Sequence, residues 1–303
     1  MSELTIEELL SNRDKILNIK SRVESRDKSM FSHYVVNNYE ITPEAITVVM
    51  TASNRSKQTY FTLQSMLKSK CKNLQIILVD DSTDDPVNIN ILKNYPYYID
   101  LIVINRENKD WVNPCVNYNI GFQFNQGRIV VIQNAEVCHV RDPLSHIHEN
   151  LKDNEYFVFD VIAASNYGSN DEIYRSDLTD IFIYNKPLYN AWYHNSIYNI
   201  SYLNYLTAMT RTTFLKVKEF SYDFSIGIVG DDNDFVLKIL SQKINIISVP
   251  AETYLVGGIH LHHESSFGTW GLGVKSNKTM YYIKEDIFKT TGKYIEFINK
   301  NDN

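Results

Sequence analysis

The sequence predicts an α/β fold, a mixed and mainly parallel sheet flanked by helices, with an N-terminal helical extension. Three observations predict it. Short apolar runs alternate with amphipathic helical stretches from residue 45 onward. The runs are apolar along their whole length, the pattern of strands covered on both faces. Several end in a polar cluster, where a parallel sheet presents its carboxyl edge to a ligand.

The elements follow in order. In residues 1–40, Thr5 and Glu8 have capping-box spacing, and Ile6, Leu9, Leu10, Ile16 and Leu17 recur near the helical period. This stretch either packs on the core or pairs with a second subunit to form a homodimer. "AITVVMT" is a buried strand, and "QTYFTLQSMLKS" is a helix with Leu63, Met66 and Leu67 on one face. "LQIILVDD" and "DLIVIN" are the next strands. "NPCVNYNIGFQFN" is a helix carrying Val116, Ile120 and Phe124, and "RIVVIQ" is the fourth strand. "YFVFDVIAA" reads as one strand, and residues 164–205 as a long Tyr/Asn-rich region that carries function or a lid. "DDNDFVLKILSQK" is a helix with Phe235, Val236, Ile239 and Leu240 inward. "INIISVP" and "TYLVGGIHLHHE" are strands, and the tail from Ser265 reads as mobile or loosely packed. The organisation expected is an extension (1–40), a main domain (41–264, halves about 45–140 and 141–264) and a tail (265–303).

Composition narrows the function classes. The chain has 303 residues, 44% hydrophobic and 22% charged, which is globular rather than disordered. A net charge of −6 without any dense Lys/Arg block gives no electrostatic footprint for nucleic acid. No apolar stretch reaches the length of a membrane span, and "MSELTIEELLSNRDK" is too acidic for a signal peptide. Three scattered cysteines argue against a disulfide framework, so a cytoplasmic location is expected.

Candidate chemistry collects at the strand ends. Asp80 and Asp81 close the second strand in "ILVDDSTDD"; taken alone this is a turn-forming loop. A carboxylate there also suits a ligand N–H such as a pyrimidine imide. "TASNR" would bring Thr51, Ser53 and Arg55 to the same crevice, with the guanidinium suited to anionic oxygens. The fourth strand ends in Asn134 and Glu136. Asp231, Asp232 and Asp234 open a helix, where capping alone explains some of them. In "GIHLHHE", strand alternation puts His260 and His262 on one face and His263 on the other. Trp192 and His194 in "YNAWYHNSIYN" suit stacking on a sugar or recognition of its hydroxyls, on the acceptor or donor side. Cys138, His139, His146 and His148 form a competing zinc set, but their spacing matches no common structural pattern.

The succession "AITVVMTASNRSKQTYFTLQSML", "LQIILVDDSTDD", "NYNIGFQFNQGRIVVIQNAE" and "VGDDNDFVLKIL" resembles family 2 glycosyltransferases of the Rossmann-like GT-A fold. Single motifs of this kind are weak, and five in order are strong. The resemblance implies sugar transfer from a nucleotide-diphosphate sugar, UDP-sugar favoured, to a glycan, lipid or protein hydroxyl. It implies inversion at the anomeric carbon, dependence on Mn2+ or Mg2+, and a place in glycan biosynthesis. It assigns Thr51, Ser53, Arg55, Asp81 and Asn134 to the nucleotide, and Glu136 and His263 to the metal. Asp232 becomes the catalytic base, with Asp231 on acceptor or donor-sugar hydroxyls. It favours His260 with His263 over His260 with His262, which requires the strand to bulge or to end near Leu261.

Departures from the family pattern matter here. Thr51 replaces a proline, Tyr118 stands where an arginine often precedes Asn119, and "KVKEFSYDF" lacks a glycine pair. Asn134-Ala135-Glu136 stands at the Asp-x-Asp position, resembling a subgroup with Gln-Asn-Pro-Glu there. With one strand-end carboxylate, metal binding should lean on His263 and on the diphosphate itself. Two rivals remain: a sugar-phosphate nucleotidyltransferase, which would want glycines in "TASNRSKQ", and a non-catalytic sugar-nucleotide-binding module.

Overall fold

The structure is a computed structural model describing residues 11–176, 189–190, 201–254, 256–264 and 271–299. An eight-stranded sheet forms its centre. Strands β1 (Phe31–Asn37), β2 (Ile46–Ala52), β3 (Leu74–Asp80), β4 (Tyr98–Ile104) and β5 (Ile129–Asn134) supply one part. Strands β7 (Glu155–Phe159), β10 (Leu206–Thr210) and β11 (Asn245–Val249) complete it, in the order β1-β4-β3-β2-β5-β10-β7-β11. β4, β3, β2 and β5 run parallel, while β1 and β10 are antiparallel to their neighbours. A second sheet of four short strands, β6 (Val137–Val140), β8 (Val161–Ala164), β9 (Tyr189–Asn190) and β12 (Gly257–His260), is ordered β6-β12-β8-β9.

Alternate residues of the central strands feed two separate cores. Val49, Ile77, Val79 and Ile132 face one, and Val48, Met50, Ile76 and Leu78 face the other. Burial on both faces is why these strands are apolar without alternation. Helix α1 (Arg13–Glu24) lays Ile16, Ile19 and Val23 into the first core. Helices α2 (Ser56–Met66), α3 (Ile89–Leu92) and α4 (Pro114–Phe122) are the crossovers between successive parallel strands. Gly121 lets α4 lie against the sheet, since a Cβ there would meet Val49 Cγ1 at 2.8 Å. Leu67 and Leu240, expected inward, are exposed.

Because β3 and β4 lie on one side of β2 and β5 on the other, the topology reverses between β2 and β5. Open α/β sheets bind ligands at the carboxyl side of such a switch point. Thr51 and Asn134 are register partners there.

Four expectations change. The stretch to residue 40 is not helical throughout, because Phe31–Asn37 is an edge strand paired with β4. "YFVFDVIAA" is two strands, not one. At Asp160 the chain leaves the large sheet for the small one, its carboxylate accepting from Ala251 N at 2.9 Å and its carbonyl from Gly258 N at 2.9 Å. "TYLVGGIHLHHE" is a strand only over Gly257–His260, since Thr253 and Tyr254 close the short helix α9 (Ala251–Tyr254), the last helix before β12. Over its described residues the tail is not loosely packed: Gly271–Thr291 is a helix that buries Asn277, Met280 and Lys284. The remaining helices are α5 (Pro143–Asn150), α6 (Tyr167–Arg175), α7 (Arg211–Val217) and α8 (Asp231–Ser241), with the tail helix as α10. No helix among the described residues is long and apolar enough to cross a membrane.

Candidate functional site

The loops leaving β2 and β3 are locked together at the switch point. Asn54 adopts a left-handed backbone (φ 55°), and its Oδ1 accepts from Thr83 N, Asp84 N and Asp85 N at 2.8, 2.9 and 3.1 Å. Asp85 returns the contact by accepting from Ser56 N at 2.8 Å, at the start of α2. Ser53 Oγ donates to Asp81 O at 3.2 Å. Asp80 is a turn residue, holding Ser82 N at 3.1 Å and Val87 N at 2.8 Å.

Asp81 is buried and surrounded by donors. Arg106 Nη1 reaches Oδ1 at 2.5 Å, and Lys109 Nζ and Asn117 Nδ2 reach Oδ2, the latter at 3.1 Å. Sequence reasoning missed these three residues. For Arg106 and Lys109 the signal was the cluster "RENK" one residue past β4, which the topology brings beside the end of β3; Asn117 reaches it from α4.

Glu136 occupies the corner where the chain passes from β5 to β6, and it is 1% exposed. Arg55 Nη1 hydrogen-bonds its Oε1. His260 Nε2 and His263 Nε2 lie 3.3 and 3.4 Å from the same oxygen. β12 ends at His260, and Leu261 N bonds Glu136 O at 2.9 Å. The turn that follows carries His263 back to the carboxylate, so His260 pairs with His263 and not with His262. Asn170 of α6 fixes that turn, donating to His262 O at 2.8 Å and accepting from His262 N at 2.7 Å.

Charge balance decides the protonation of this cluster. Burial alone would raise the Glu136 pKa, but Arg55 and the two histidines hold it well below the usual carboxylate range. Burial lowers the pKa of His260 despite the carboxylate beside it, leaving a neutral imidazole with a lone pair. Glu136, His260 and His263 each offer a ligand atom within 4.8 Å of the others. Glu136 Oε2 is buried with no hydrogen-bond partner among the described residues. An ionised carboxylate with an idle buried oxygen, facing a neutral imidazole, fits a divalent cation. The competing zinc set does not assemble: Cys138 Sγ donates to Ile259 O, and His139 Nε2 bonds Gln133 Oε1 at 2.8 Å.

Asp231 and Asp232 open α8. Asn113 Nδ2 donates to Asp231 Oδ1 at 3.1 Å, and Asn204 Nδ2 to Asp232 Oδ1 at 3.0 Å. Burial, then the Asp232 charge, push Asp231 up to about 7. Burial also raises Asp232, with Asn204 opposing it. Tyr118 lies within electrostatic reach of both Glu136 and the Asp231–Asp232 pair. Its hydroxyl donates to Gln133 O at 2.9 Å and lies 3.3 Å from Asn134 Oδ1. Its proton is held first by burial and then by the charges of Asp232, Glu136 and Asp231. The Tyr118 hydroxyl thus sits beside Asn134 and feels the charges of Glu136, Asp231 and Asp232. Asp234 points away from this group, toward Lys284 and Tyr294. Trp192 and His194 lie outside the described residues.

Carboxylates at the carboxyl edge of a mixed sheet, Glu136 after β5 and Asp231 and Asp232 at the start of α8, sit on what comparison with known proteins shows to be the GT-A fold of glycosyltransferases. Residues 47–215, more than half of the chain, match the family described as Glycosyl transferase family 2, and the protein belongs to that family. Among solved structures, S. aureus TarS superposes with a TM-score of 0.52 at 14% identity. That match covers 80% of this chain but only 40% of TarS. TarS 1–349 in complex with UDP-GlcNAc gives a TM-score of 0.55 at 16% identity, covering 80% of this chain and 66% of that one. The same fragment in complex with UDP gives 0.50 at 15%, covering 82% and 74%. At these identities the likeness bears on fold alone. No curated protein matches the sequence.

Proposed function

We propose that this glycosyltransferase moves a sugar from a nucleotide-diphosphate sugar, UDP-sugar favoured, to an acceptor hydroxyl with inversion, in a divalent-cation-dependent reaction. The observation that carries the reading is Glu136, an ionised, fully buried carboxylate with an idle oxygen, set with His260 and His263 beside the switch point. Asp81, Ser53 and Thr51 line the nucleoside side, and Arg55 supplies a guanidinium for diphosphate oxygens. Asn134 orients ribose or a sugar hydroxyl. Two imidazoles and one carboxylate suit Mn2+ better than Mg2+, which prefers oxygen ligands and keeps its waters. A bound cation would neutralise charge gathering on the leaving diphosphate.

The chain's own part in transfer is positional and basic. The bond from the anomeric carbon to the diphosphate oxygen breaks, with its electron pair leaving on the diphosphate. The acceptor oxygen bonds to the opposite face of that carbon, and its proton passes to Asp232. A raised pKa makes Asp232 the stronger base. Asp231, held by Asn113, is placed to bond an acceptor or donor-sugar hydroxyl, and Trp192 and His194 are assigned to the same side. TarS was solved with UDP-GlcNAc, which makes that donor the first to try.

The test is incubation with a panel of nucleotide sugars and acceptors in Mn2+, scoring release of nucleoside diphosphate. Release by wild type and its loss in Glu136→Ala and Asp232→Asn is the expected result. Thermal stabilisation by UDP with no turnover across the panel would instead identify a binding module.

A further inference from the structure

Helix α10 and the segment after it hold the first turn of α8 through a buried polar knot. Lys284 is 2% exposed, and its Nζ lies 2.8 Å from Asp223 Oδ2 and 3.0 Å from Asp234 Oδ1. Ser221 Oγ at 3.2 Å and Tyr294 OH at 3.3 Å complete its shell. Tyr294 also donates to Asp234 Oδ2 at 2.5 Å, so both oxygens of Asp234 are engaged from the C-terminal segment. Asp223 in turn accepts from Ile298 N at 3.0 Å and Phe297 N at 2.9 Å. Two helical turns earlier on the same face, Asn277 Nδ2 donates to Val229 O and Phe224 O, both at 3.1 Å.

The first turn of α8 needs such an outside hold. Its N-cap is Gly230, which offers no side-chain cap. Glycine at 230 takes its φ of 88° freely, but the β-branched Val229 before it has φ 67°, a strained entry that persists only when surroundings enforce it. Asp231, Asp232 and Asp234 crowd the same turn. Burial of Lys284 alone would release its proton, but Asp234 and Asp223 hold its pKa above the ordinary value. The knot therefore keeps a fixed cation beneath the turn.

We propose that Lys284 is a positioning residue for sugar transfer: through Asp234 it fixes the α8 first turn that presents Asp231 and Asp232. This rests on the reading of Asp232 as the base. It adds a part of the machinery outside the matched segment 47–215, since every residue of the knot follows position 215. Lys284 itself touches neither donor nor acceptor. Its loss should therefore act on the chemical step and spare the nucleotide, whose assigned residues sit at or just past the ends of β2, β3 and β5.

The experiment measures kcat, donor KM and UDP affinity for full-length Lys284→Met, Tyr294→Phe and Asp232→Asn. In Lys284→Met, kcat should fall about tenfold or more while donor KM and UDP affinity stay within about twofold, the signature of an interaction realised only in the transition state. Tyr294→Phe, which removes one of the two holds on Asp234, should show a smaller loss of the same kind. Unchanged kcat in folded Lys284→Met, or a kcat loss matched by lost UDP affinity, overturns the proposal. If Lys284→Met does not fold, Tyr294→Phe decides alone: lowered kcat with intact UDP binding supports it, and wild-type kcat overturns it. Turnover retained in Asp232→Asn removes the base reading and the proposal with it. Loss in Asp232→Asn beside wild-type kinetics in Lys284→Met overturns only the role of Lys284.

Discussion

Arg55 and Glu136 are hydrogen-bonded to one another across the gap between the loop after β2 and the corner after β5. The guanidinium thus occupies the carboxylate that is also the sole acidic member of the Glu136–His260–His263 group. A cation placed there must contend with a fixed positive charge, which the diphosphate of the proposed donor would draw away.

Divalent-cation binding should therefore be weak without nucleotide and strengthen with UDP. Calorimetric titration of Mn2+ into the protein, with and without UDP, measures both. Arg55→Met should tighten Mn2+ binding to the nucleotide-free protein by about tenfold, the scale on which neighbours of metal ligands act. Tight Mn2+ binding by the wild type in the absence of UDP would contradict the arrangement. Chelation by EDTA should abolish turnover, and added Mn2+ should restore it.

The carboxylate pair at α8 sets opposite pH trends for activity and stability. A base works only when deprotonated, and burial raises the pKa of Asp232, so kcat should fall on acidification at a higher pH than an ordinary aspartate would set. Stability runs the other way. Asp231 binds its proton more tightly in the folded protein, at about 7, than at its ordinary 3.8. Its contribution is fully present below about pH 4 and is lost as pH rises through about 7. Asp231→Asn should raise the thermal midpoint at pH 8 by at least ~2 °C, the shift that about 1 kcal/mol produces in a larger domain. At pH 4 it should change little. A midpoint that responds equally at both pH values would refute the titration.

What could be read in the sequence follows from physical range. The strands β2 to β5 were legible because burial on both faces writes an unbroken apolar run. The strand-end residues Thr51, Asp81, Asn134 and Glu136 were legible because order along the chain fixes which edge they reach. Sheet switching at Asp160 was not, since that strand break is set by pairing with residues about ninety positions away. The choice between His262 and His263 depended on where β12 ends, and Leu261 N on Glu136 O decides it. The tail was misread because α10 spends polar residues, Asn277 and Lys284, on its buried face.

Asp81 carries two loads that one double variant separates. Asp81→Ala strands Lys109 in a largely buried position with its partner gone, which should cost about 3 kcal/mol in urea unfolding. Adding Lys109→Met removes the stranded charge and should recover most of that loss. UDP affinity should stay low in both variants, because the carboxylate proposed to meet the base is absent from each. Full recovery of UDP binding in the double variant would leave Asp81 with a folding role only.

Gly230 and Gly292 make a matched pair for testing how tightly the entry to α8 is built. Both have positive φ, 88° and 69°, so an alanine at either meets a backbone penalty of about 1 kcal/mol. At Gly292 an added Cβ meets nothing within 4 Å, and that penalty should be the whole effect. At Gly230 the Cβ would lie 2.8 Å from Phe224 Cε1. Phe224 is fully buried and its carbonyl is tied to Asn277, so the ring has nowhere to yield. Overpacking of this kind adds about 1–3 kcal/mol. Urea unfolding should therefore rank Gly230→Ala well below Gly292→Ala in stability. Only Gly230→Ala should also lower kcat, because any relief of the collision must move the turn that carries Asp231 and Asp232. Equal stability losses, or wild-type kcat in Gly230→Ala, would show that this turn tolerates displacement and that its exact placement is not what the carboxylate pair requires.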